Sequence, residues 1–371
     1  MQRRSFLAKA TAGAAGAAGA TLAAPALGQT LPNVRWRLAS SFPKSLDTIF
    51  GGGEVLSKSV SAMTGGKFQI SVHAGGEIVP GLQVLDAVQA NTVECGHTAL
   101  YYFFGKDPTW ALASAVPFGL NTRQHNAWWY HGGGDGLFNE FSKKHGVTAM
   151  MLGNTTGQMG GWFRKEITSL EDLKGLKFRI AGLGGQVFAK LGVVTQQIAG
   201  GDLYPALEKG TIDAAEWVGP YDDEKLGLQK VAKFYYYPGF FEGCTAAHLV
   251  VNNSAYEALP PEYKAVLASA SAEATLDMIA KYDARNAVAI KRLVSTGTQL
   301  RVFPRPVLEA AYRETQAIYA SLGSGNAEFK KVYDSYFGSQ ADQISWGRVN
   351  EGTFDNFMAA QQQAAARPAP K

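Results

Sequence analysis

The chain is poor in charge and has almost no cysteine. Charged residues make up 18% of its 371 positions, below the roughly 25% that is usual for a soluble domain. Its two cysteines, Cys95 and Cys244, are too few for a disulfide-dense scaffold or a structural zinc cluster. The net charge is +4, but the first 28 residues carry three of these charges and no acid. The nearly neutral remainder argues against a nucleic-acid partner, which a basic face would recognise.

The first 28 residues have the composition of an export signal. Arg3 and Arg4 precede a mild stretch of alanine and glycine at residues 10–20. That stretch is too weakly apolar to span a membrane, which needs about 20 strongly apolar residues. Small residues before position 29 suit cleavage after Gly28. The paired arginines resemble a twin-arginine signal, and an ordinary Sec signal is the alternative. Both routes deliver the chain to the bacterial periplasm.

Strand-like and helix-like patterns alternate along the rest of the chain. The rhythm begins with an apolar, β-rich run at residues 34–40 and restarts after about residue 154. It predicts open, mostly parallel sheets with helices on both faces, arranged as two lobes with a cleft between them. After Pro261 no glycine or proline occurs up to Leu293. A single helix of this length, at about 1.5 Å per residue, would bridge both lobes. Two shorter helices are the alternative.

The motifs of common enzymes are missing. The run at residues 182–187 has the first two glycines of a dinucleotide-binding loop, but Val187 occupies the position of the third. The sequence has no P-loop, no G-x-S-x-G elbow and no H-E-x-x-H zinc helix. Its six histidines show no metal-ligand spacing. Lone polar groups in apolar, glycine-rich surroundings are therefore the remaining candidates for a site.

Four such polar groups stand out, at or near the ends of predicted strands or after an aromatic run. Arg179 lies near the carboxyl end of a strand at residues 176–180, where open α/β sheets bind ligands, and a guanidinium can hold a carboxylate through two hydrogen bonds. Gln158 offers an amide oxygen to a cation. Glu216 and Glu242 lie among aromatic residues and glycines, where a buried carboxylate needs a partner such as a cation or Arg179. A surface arginine, a turn-capping amide and solvated acids are the plainer readings.

Long runs of the mature chain resemble a known family. These runs are residues 36–43, 153–163, 197–202 and 204–220. They resemble the extracytoplasmic solute-binding proteins of tripartite ATP-independent periplasmic (TRAP) transporters, and in particular the branch of the DctP-type family that binds 2-oxo acids. The resemblance covers nearly the whole mature chain, and runs of this length are specific.

The resemblance implies roles for the polar candidates. Arg179 would clamp the carboxylate of the substrate, and Gln158 would contact both the substrate and a bound cation. Glu216, the backbone carbonyl of Trp217 and Glu242 would complete the cation ligands. In the 2-oxo acid branch that cation is sodium.

Charge counting raises calcium as the alternative cation. Arg179, two carboxylates and a monoanionic ligand carry a net charge of −2, which sodium reduces to −1 and calcium neutralises, and oxygen ligands suit both ions. The resemblance further implies, less specifically, that three aromatic side chains wall the cleft, those of Phe42, Tyr101 and Tyr102.

The resemblance also implies the architecture. It is a two-lobed α/β fold with open mixed sheets flanked by helices, a long lobe-spanning helix and a C-terminal helix that forms a homodimer. Packing of that helix on its own lobe is the alternative. The expected divisions are an export signal at 1–28, lobe I at 29–156 and about 245–285, lobe II at 157–244 and about 286–340, the C-terminal helix at 341–363, and a disordered tail at 364–371.

The expected function is binding and not catalysis. The chain would capture a pyruvate-like 2-oxo monocarboxylic acid together with a cation, and would deliver it to a TRAP membrane permease by closing its lobes on the ligand. Binding of lactate or another 2-hydroxy acid with calcium is one alternative. A periplasmic metal-dependent enzyme acting on such acids is the other, since an arginine, a cation and two carboxylates can do acid–base work.

Overall fold

Two mixed sheets organise the part of the chain that the structure describes. This structure is a computed structural model, and it describes residues 31–338 and 340–365. The expected export signal and residues 366–371 of the expected tail lie outside the described residues. From Val34 onward the described residues form one compact unit. Among the described residues, no helix combines the length and the apolar character needed to cross a membrane.

The strands are numbered in chain order. They are β1 (Val34–Ser40), β2 (Phe68–His73), β3 (Cys95–Ala99), β4 (Val147–Asn154), β5 (Gly161–Phe163), β6 (Lys177–Arg179), β7 (Val194–Gln196), β8 (Ala214–Ala215), β9 (Phe234–Tyr237), β10 (Ala246–Asn252) and β11 (Gln299–Val302).

The α-helices are numbered in the same way, and short 3-10 helices join several of them. The α-helices are α1 (Gly51–Met63), α2 (Val84–Gln89), α3 (Thr109–Leu112), α4 (Thr122–His131), α5 (Gly134–Lys144), α6 (Gly182–Lys190), α7 (Leu203–Glu208), α8 (Pro220–Leu226), α9 (Asn253–Glu257), α10 (Pro261–Ser295), α11 (Arg305–Gly325), α12 (Ala327–Gly338), α13 (Gln340–Val349) and α14 (Glu351–Ala365).

The first sheet has the strand order β2-β1-β3-β10-β4. Strand β1 is parallel to β2 and β3, whereas β10 is antiparallel to β3 and β4. Every residue of β10 is buried, as expected for a strand inside a covered sheet. Helices α1, α2, α5 and α10 contact this sheet.

The second sheet has the strand order β11-β9-β5-β8-β6-β7. Strand β5 is antiparallel to both neighbours, while β6 is parallel to both of its own. Most strands of each sheet thus run in one direction, as the pattern predicts, and the mixed sheets implied by the resemblance are confirmed. Strands β5 and β10 are the antiparallel ones. Each is the first strand after the chain crosses between sheets, and no α-helix precedes it to make a parallel crossover.

Helix α10 connects elements of both sheets. It is continuous over 35 residues, so the prediction of a single long helix is confirmed. It contacts α1 and β4 on the side of the first sheet, and α8, which follows strand β8 of the second. The hydroxyl of Tyr282 donates a 2.6 Å hydrogen bond to Asp222 of α8. This helix therefore packs on elements of both sheets.

Some predicted boundaries differ from the structure. The predicted C-terminal helix at 341–363 is two helices, α13 and α14, with Asn350 between them. The Asn350 side chain accepts a hydrogen bond from the backbone N–H of Glu351, and such local bonding favours helix ends. Helix α14 continues to Ala365, so the first two residues of the expected tail are helical. Helix α12, expected in lobe II, packs on α3 and α5 beside the first sheet.

Three histidines are fully buried in and beside the first sheet. They are His97 on β3, His125 on α4 and His248 on β10. Burial lowers the pKa of His97 and His248 to about 3 and that of His125 to about 4. Their rings pack edge-on against aromatic neighbours, His97 against Phe42, His125 against Trp128 and His248 against Trp129. Both cysteines are also buried, as free thiols.

We expect the buried histidines to make the fold sensitive to acid. Between about pH 6.5 and 4 a histidine of the unfolded chain takes up a proton, while its buried counterpart stays neutral, so stability is lost as the pH falls. At pH 5 this amounts to about 2 kcal/mol for each histidine. Replacing His125 by glutamine should therefore flatten the fall in the free energy of urea unfolding between pH 7 and 5.

Buried acids with raised pKa values make the fold more stable as the pH falls, which opposes the effect of the histidines. The quantity to compare is therefore the pH dependence of the unfolding free energy in the variant and in the wild type. Exchange of the exposed His131 for glutamine is the control and should leave the slope unchanged. Parallel curves for wild type and His125→Gln would contradict the account.

Candidate ligand and cation site

Four polar residues predicted from the sequence are brought into one buried cluster. Arg179 and Glu216 are fully buried, and Glu242 and Gln158 are 3% and 7% exposed. Arg179 pairs directly with Glu216, and Glu242 interacts electrostatically with both. The plainer readings, a surface arginine and solvated acids, are wrong because all three side chains are buried, and strand β6 lies inside its sheet between β8 and β7.

An ion pair forms the centre of the cluster. Arg179 Nη1 donates to both the backbone oxygen and Oε2 of Glu216, each at 2.7 Å. Arg179 Nε donates to the backbone oxygen of Ile198 at 3.0 Å. Only Nη2 remains without a partner. A carboxylate placed against this guanidinium would therefore find one terminal nitrogen available and not the full fork, because Nη1 is committed to Glu216.

A second chain of hydrogen bonds orients Gln158 and Glu242. Gln158 Nε2 donates to the hydroxyls of Thr155 and Thr245, at 2.9 and 2.8 Å. The Thr245 hydroxyl donates to Glu242 Oε2 at 2.6 Å. Since both amide bonds use the nitrogen of Gln158, its oxygen Oε1 is left buried without a partner.

The backbone on both sides of Gln158 is unusual. Thr156 has a left-handed φ of 61°, and Gly153 and Gly161 have φ values of 138° and 104°. A left-handed conformation costs a residue such as threonine about 1–3 kcal/mol and is found mostly at functional sites. The side chain of Asn154 accepts from the backbone N–H of Thr156 at 3.0 Å. The glycines and this bond let the chain turn between the two sheets and present Gln158.

Aromatic residues cover the cluster. The Trp217 ring lies 5.2 Å from the guanidinium carbon of Arg179, and its buried Nε1 has no partner. A Cβ on Gly200 would lie only 2.4 Å from that ring. Tyr101, after strand β3 of the first sheet, packs on Gly182 at the start of α6, where a Cβ would lie 3.1 Å from its ring. The first sheet thus contributes an aromatic neighbour to a cluster built mainly beside the second.

The other two residues predicted to wall the cleft are Tyr102, which lies beside Tyr101, and Phe42, which lies at the end of β1. The ring of Tyr102 contacts that of Tyr101, with centroids 4.9 Å apart, and its backbone oxygen accepts from Gln197 Nε2 at 3.2 Å. Phe42 is buried at the end of β1 and packs edge-on against His97, with centroids 5.0 Å apart. The role of Phe42 as a wall of the cleft stays a prediction.

Burial acts strongly on the two carboxylates. It raises the pKa of Glu216 well above its ordinary value, with a further contribution from Glu242, although Arg179 opposes both. It raises the pKa of Glu242 to about 7, against the opposing effects of the Thr245 hydrogen bond and the charge of Arg179. One guanidinium is thus too little positive charge for two buried carboxylates. Additional positive charge would be stabilised there.

The unpartnered atoms fit a hard cation together with an anion. Gln158 Oε1 and Glu216 Oε1 are buried oxygens without partners, and Arg179 Nη2 is a buried donor without one. Oxygen ligands of this kind suit sodium or calcium. Within residues 31–338 and 340–365 there is no group of three or more His, Cys, Asp or Glu side chains that could hold a metal ion. A cation here would therefore depend on an amide and a backbone carbonyl as well as two carboxylates.

The loop that follows Glu216 is held by a residue that sequence reasoning missed. Asp223 of α8 accepts from the backbone N–H groups of Val218 and Gly219, at 3.2 and 3.1 Å. Its other oxygen accepts from Trp162 Nε1 and the Tyr235 hydroxyl, at 2.9 and 2.7 Å. No sequence motif marks Asp223, nor Thr155 or Thr245, because their partners are brought to them only by the fold.

Comparison with known proteins shows the family. The family described as bacterial extracellular solute-binding protein, family 7 (DctP), matches residues 39–326. A monocarboxylate 2-oxoacid-binding periplasmic protein of Nostoc sp. is 50% identical over 332 residues, which are 90% of this chain and 91% of that protein. The chain therefore belongs to the DctP family of bacterial extracellular solute-binding proteins.

Solved structures of relatives have the same fold. A TRAP transporter solute-binding protein of Bordetella bronchiseptica is 48% identical, with a TM-score of 0.88 over 90% of this chain and 99% of that one. It is a dimer with mixed occupancy, in which calcium and picolinate copurified in one site.

Two further relatives contain pyruvate. The protein of Colwellia psychrerythraea, 33% identical with a TM-score of 0.85, was crystallised with calcium and pyruvate. That of Pseudoalteromonas atlantica, 36% identical with a TM-score of 0.84, was crystallised with sodium and pyruvate. Each alignment covers 87% of this chain and 99% of the relative.

We expect Asp223→Asn to disturb the loop that carries Glu216 and Trp217. The amide nitrogen of an asparagine would face two donors, Trp162 and Tyr235, or the two backbone N–H groups. Leaving buried donors unpaired costs about 1–3 kcal/mol, which urea unfolding should show as a lower free energy.

The matched control is Asp222→Asn. Asp222 is equally buried, but its carboxylate accepts a single hydrogen bond, from Tyr282, which an asparagine oxygen retains. Equal losses of stability in the two variants would show that Asp223 does not hold the loop.

Proposed function

We propose that the chain is the periplasmic solute-binding component of a TRAP transporter, and that it binds a pyruvate-like 2-oxo monocarboxylic acid together with a hard cation. The observation that carries the proposal is the buried cluster with two unpartnered oxygens, of Gln158 and Glu216, and one unpartnered guanidinium nitrogen, of Arg179. The pyruvate bound in two solved relatives supports this choice of ligand.

Arg179 orients the ligand in this proposal. Its Nη2 donates to the ligand carboxylate, while the bonds from Nη1 to Glu216 keep the guanidinium fixed. Charge-assisted hydrogen bonds of this kind are stronger than neutral ones. The ring of Trp217 over the guanidinium keeps water from it. Because the arginine is held before the ligand arrives, little ordering is needed on binding.

The cation is held by Gln158, Glu216, Glu242 and the backbone carbonyl of Trp217. It would supply positive charge next to the negative charge of the ligand. Since Arg179 and Glu216 neutralise each other, Glu242 and a monoanionic ligand remain as two negative charges. Calcium cancels both charges and sodium cancels one, so the charge balance favours calcium, whereas the sequence resemblance favours sodium.

Closure and delivery complete the proposal. The lobes comprise the first sheet with residues 29–156 and about 245–285, and the second sheet with residues 157–244 and about 286–326, while α12 joins the first lobe. They close on the ligand, with Tyr101 and Tyr102 as walls from the first lobe. The closed form then docks on the membrane permease, and no catalytic step is involved.

A metal-dependent enzyme acting on 2-oxo acids could use the same groups and is the alternative. Membership of the family of extracellular solute-binding proteins favours a receptor. Glu242, with a pKa of about 7, is the residue that acid–base catalysis would need. A receptor returns its ligand unchanged, so proton NMR of pyruvate held with the protein and a cation separates the two functions.

We expect 2-oxo monocarboxylates to raise the melting temperature of the purified mature protein, and 2-hydroxy acids such as lactate to raise it less. The shift should require sodium or calcium, and calcium should saturate at the lower concentration because it neutralises the buried charges. A thermal-shift screen with each acid, in sodium, calcium or chelator with choline, measures this. NMR of the same mixtures should show pyruvate unchanged.

The control for this screen removes the ion pair as a unit. Arg179→Ala alone leaves a buried unpaired Glu216, which destabilises a protein by about 3–5 kcal/mol. The double variant Arg179→Met, Glu216→Gln avoids that charge and should lose the shift with every acid. A shift that survives in the double variant, or any turnover product, would overturn the proposal.

The C-terminal helices α13 and α14 form a homodimer contact in this proposal. Trp346, Phe354 and Phe357 are 64%, 64% and 61% exposed, and large aromatic side chains are enriched at protein interfaces. The solved relative from Bordetella bronchiseptica is a dimer.

Replacing Trp346 and Phe354 by serine should convert the dimer to a monomer in sedimentation velocity. Tyr130 on α4 is 46% exposed, and Tyr130→Ser serves as the control that leaves the dimer intact. A wild-type chain that sediments as a monomer at micromolar concentration contradicts the proposed contact.

A further inference from the structure

We propose that Asp47 locks the two halves of the molecule in the closed form, through a contact that lies outside the ligand site. The Asp47 latch consists of Asp47, Tyr221, Lys225 and Arg285. This inference rests on the proposed function, since it assigns to the latch the closing of the same lobes around the ligand.

The latch joins elements of different sheets. Asp47 lies between β1 of the first sheet and α1, and Tyr221 and Lys225 lie on α8, directly after strand β8 of the second sheet. Asp47 Oδ2 accepts from Arg285 Nη1 at 2.7 Å, and Oδ1 accepts from the Tyr221 hydroxyl at 3.1 Å. Lys225 Nζ also donates to Oδ1. A single carboxylate therefore receives three donors from two helices, α8 and α10.

Further contacts surround this carboxylate. Lys225 Nζ donates to the backbone oxygen of Ser45 at 3.3 Å, and Arg285 Nη1 donates to the Thr48 hydroxyl at 3.2 Å. The charged groups of Lys225 and Arg285 lie 4.7 and 4.9 Å from the centroid of the Tyr221 ring. Ser45 and Thr48, on either side of Asp47, thus contact the same lysine and arginine side chains as Asp47 does. The loop cannot move away from α8 without losing the bonds that Asp47 and Ser45 accept from Tyr221 and Lys225.

Helix α8 connects the latch to the loop that carries Glu216 and Trp217. Its first residue, Pro220, comes three positions after Trp217. Asp223 of the same helix fixes the backbone N–H groups of Val218 and Gly219. The backbone N–H of Tyr221 donates to Asn286 of α10 at 2.9 Å. A ligand that orders the loop therefore orders the helix on which Asp47 closes, so the latch and the site favour the same state.

The charges explain why Asp47 is the residue that decides between the two states. Partial burial raises its pKa, but hydrogen bonds from Lys225 and Arg285 outweigh this effect and hold the pKa below its ordinary value. Without the carboxylate, Lys225 and Arg285 would face each other as two like charges. Because the side chains of Asp47, Lys225 and Arg285 are 45%, 31% and 35% exposed, solvent and salt weaken the pair. Loss of the latch is therefore expected to change the rate of ligand release only a few-fold.

The test measures closure directly and does not require a ligand. Cysteines introduced at Lys58 on α1 and Lys190 on α6, both exposed, carry a dye pair across the two halves. The natural cysteines are buried, which protects them from labelling. Asp47→Asn and Asp47→Lys should lower the transfer efficiency of the ligand-free protein, the lysine variant more. Salt should narrow the difference from wild type.

The same variants should release pyruvate faster. In the presence of calcium, Asp47→Asn should raise the pyruvate dissociation rate about three- to tenfold, with the association rate nearly unchanged, because an open form loses a bound ligand more readily. Glu166→Gln is the matched control. Glu166 pairs with Arg301, but both residues lie beside the second sheet, so breaking that pair should not alter closure.

The outcomes separate the latch from the proposed function. Lower transfer efficiency in the Asp47 variants supports the latch even if no 2-oxo acid binds, in which case the proposed function fails alone. Transfer efficiency and dissociation rate that match wild type overturn the latch, even where pyruvate binds. A change of the same size in Glu166→Gln also overturns it, since a general loss of surface ion pairs would then explain the result.

Discussion

The buried ion pair of Arg179 and Glu216 is the constraint on which the site depends. Neither side chain is exposed to solvent, and removing both charges from water is costly unless each is well paired. The pair satisfies one nitrogen of the arginine and one oxygen of the glutamate. It leaves Arg179 Nη2 and Glu216 Oε1 buried and unpartnered. The ion pair therefore positions a hydrogen-bond donor that suits an anion next to an oxygen that suits a cation. An anion or a cation bound alone would leave buried charge that is not neutralised.

The fold supplies this pair and its neighbours from separate sheets. Strand β6 carries Arg179 and the end of β8 carries Glu216, while the crossing between the two sheets carries Gln158. Tyr101 approaches from the first sheet. Helix α8 continues from the loop after Glu216 and is held against α10. A ligand that bridges these groups would draw the two sheets together, which is how a binding protein converts occupancy into a change of shape.

The sequence was sufficient for part of this arrangement. The pattern after Pro261 predicted one helix because no residue breaks it, and Arg179 stood out as a charged residue at the end of an apolar strand. The pattern could not reveal that Arg179 pairs with Glu216, since 37 positions separate them and only sheet order makes them neighbours. The direction of β5 and β10 was missed for the same reason, because a pattern of alternating strands and helices carries no information on a crossing between sheets.

The central claim is that anion and cation complete one buried cluster together, so each should bind tightly only with the other. Isothermal titration of pyruvate into the mature protein, with calcium and with chelator, measures one half of this linkage, and titration of calcium with and without pyruvate measures the other. The account predicts the same large factor in both directions, because coupling between two sites is reciprocal. Pyruvate affinity that does not change when calcium and sodium are removed would contradict it.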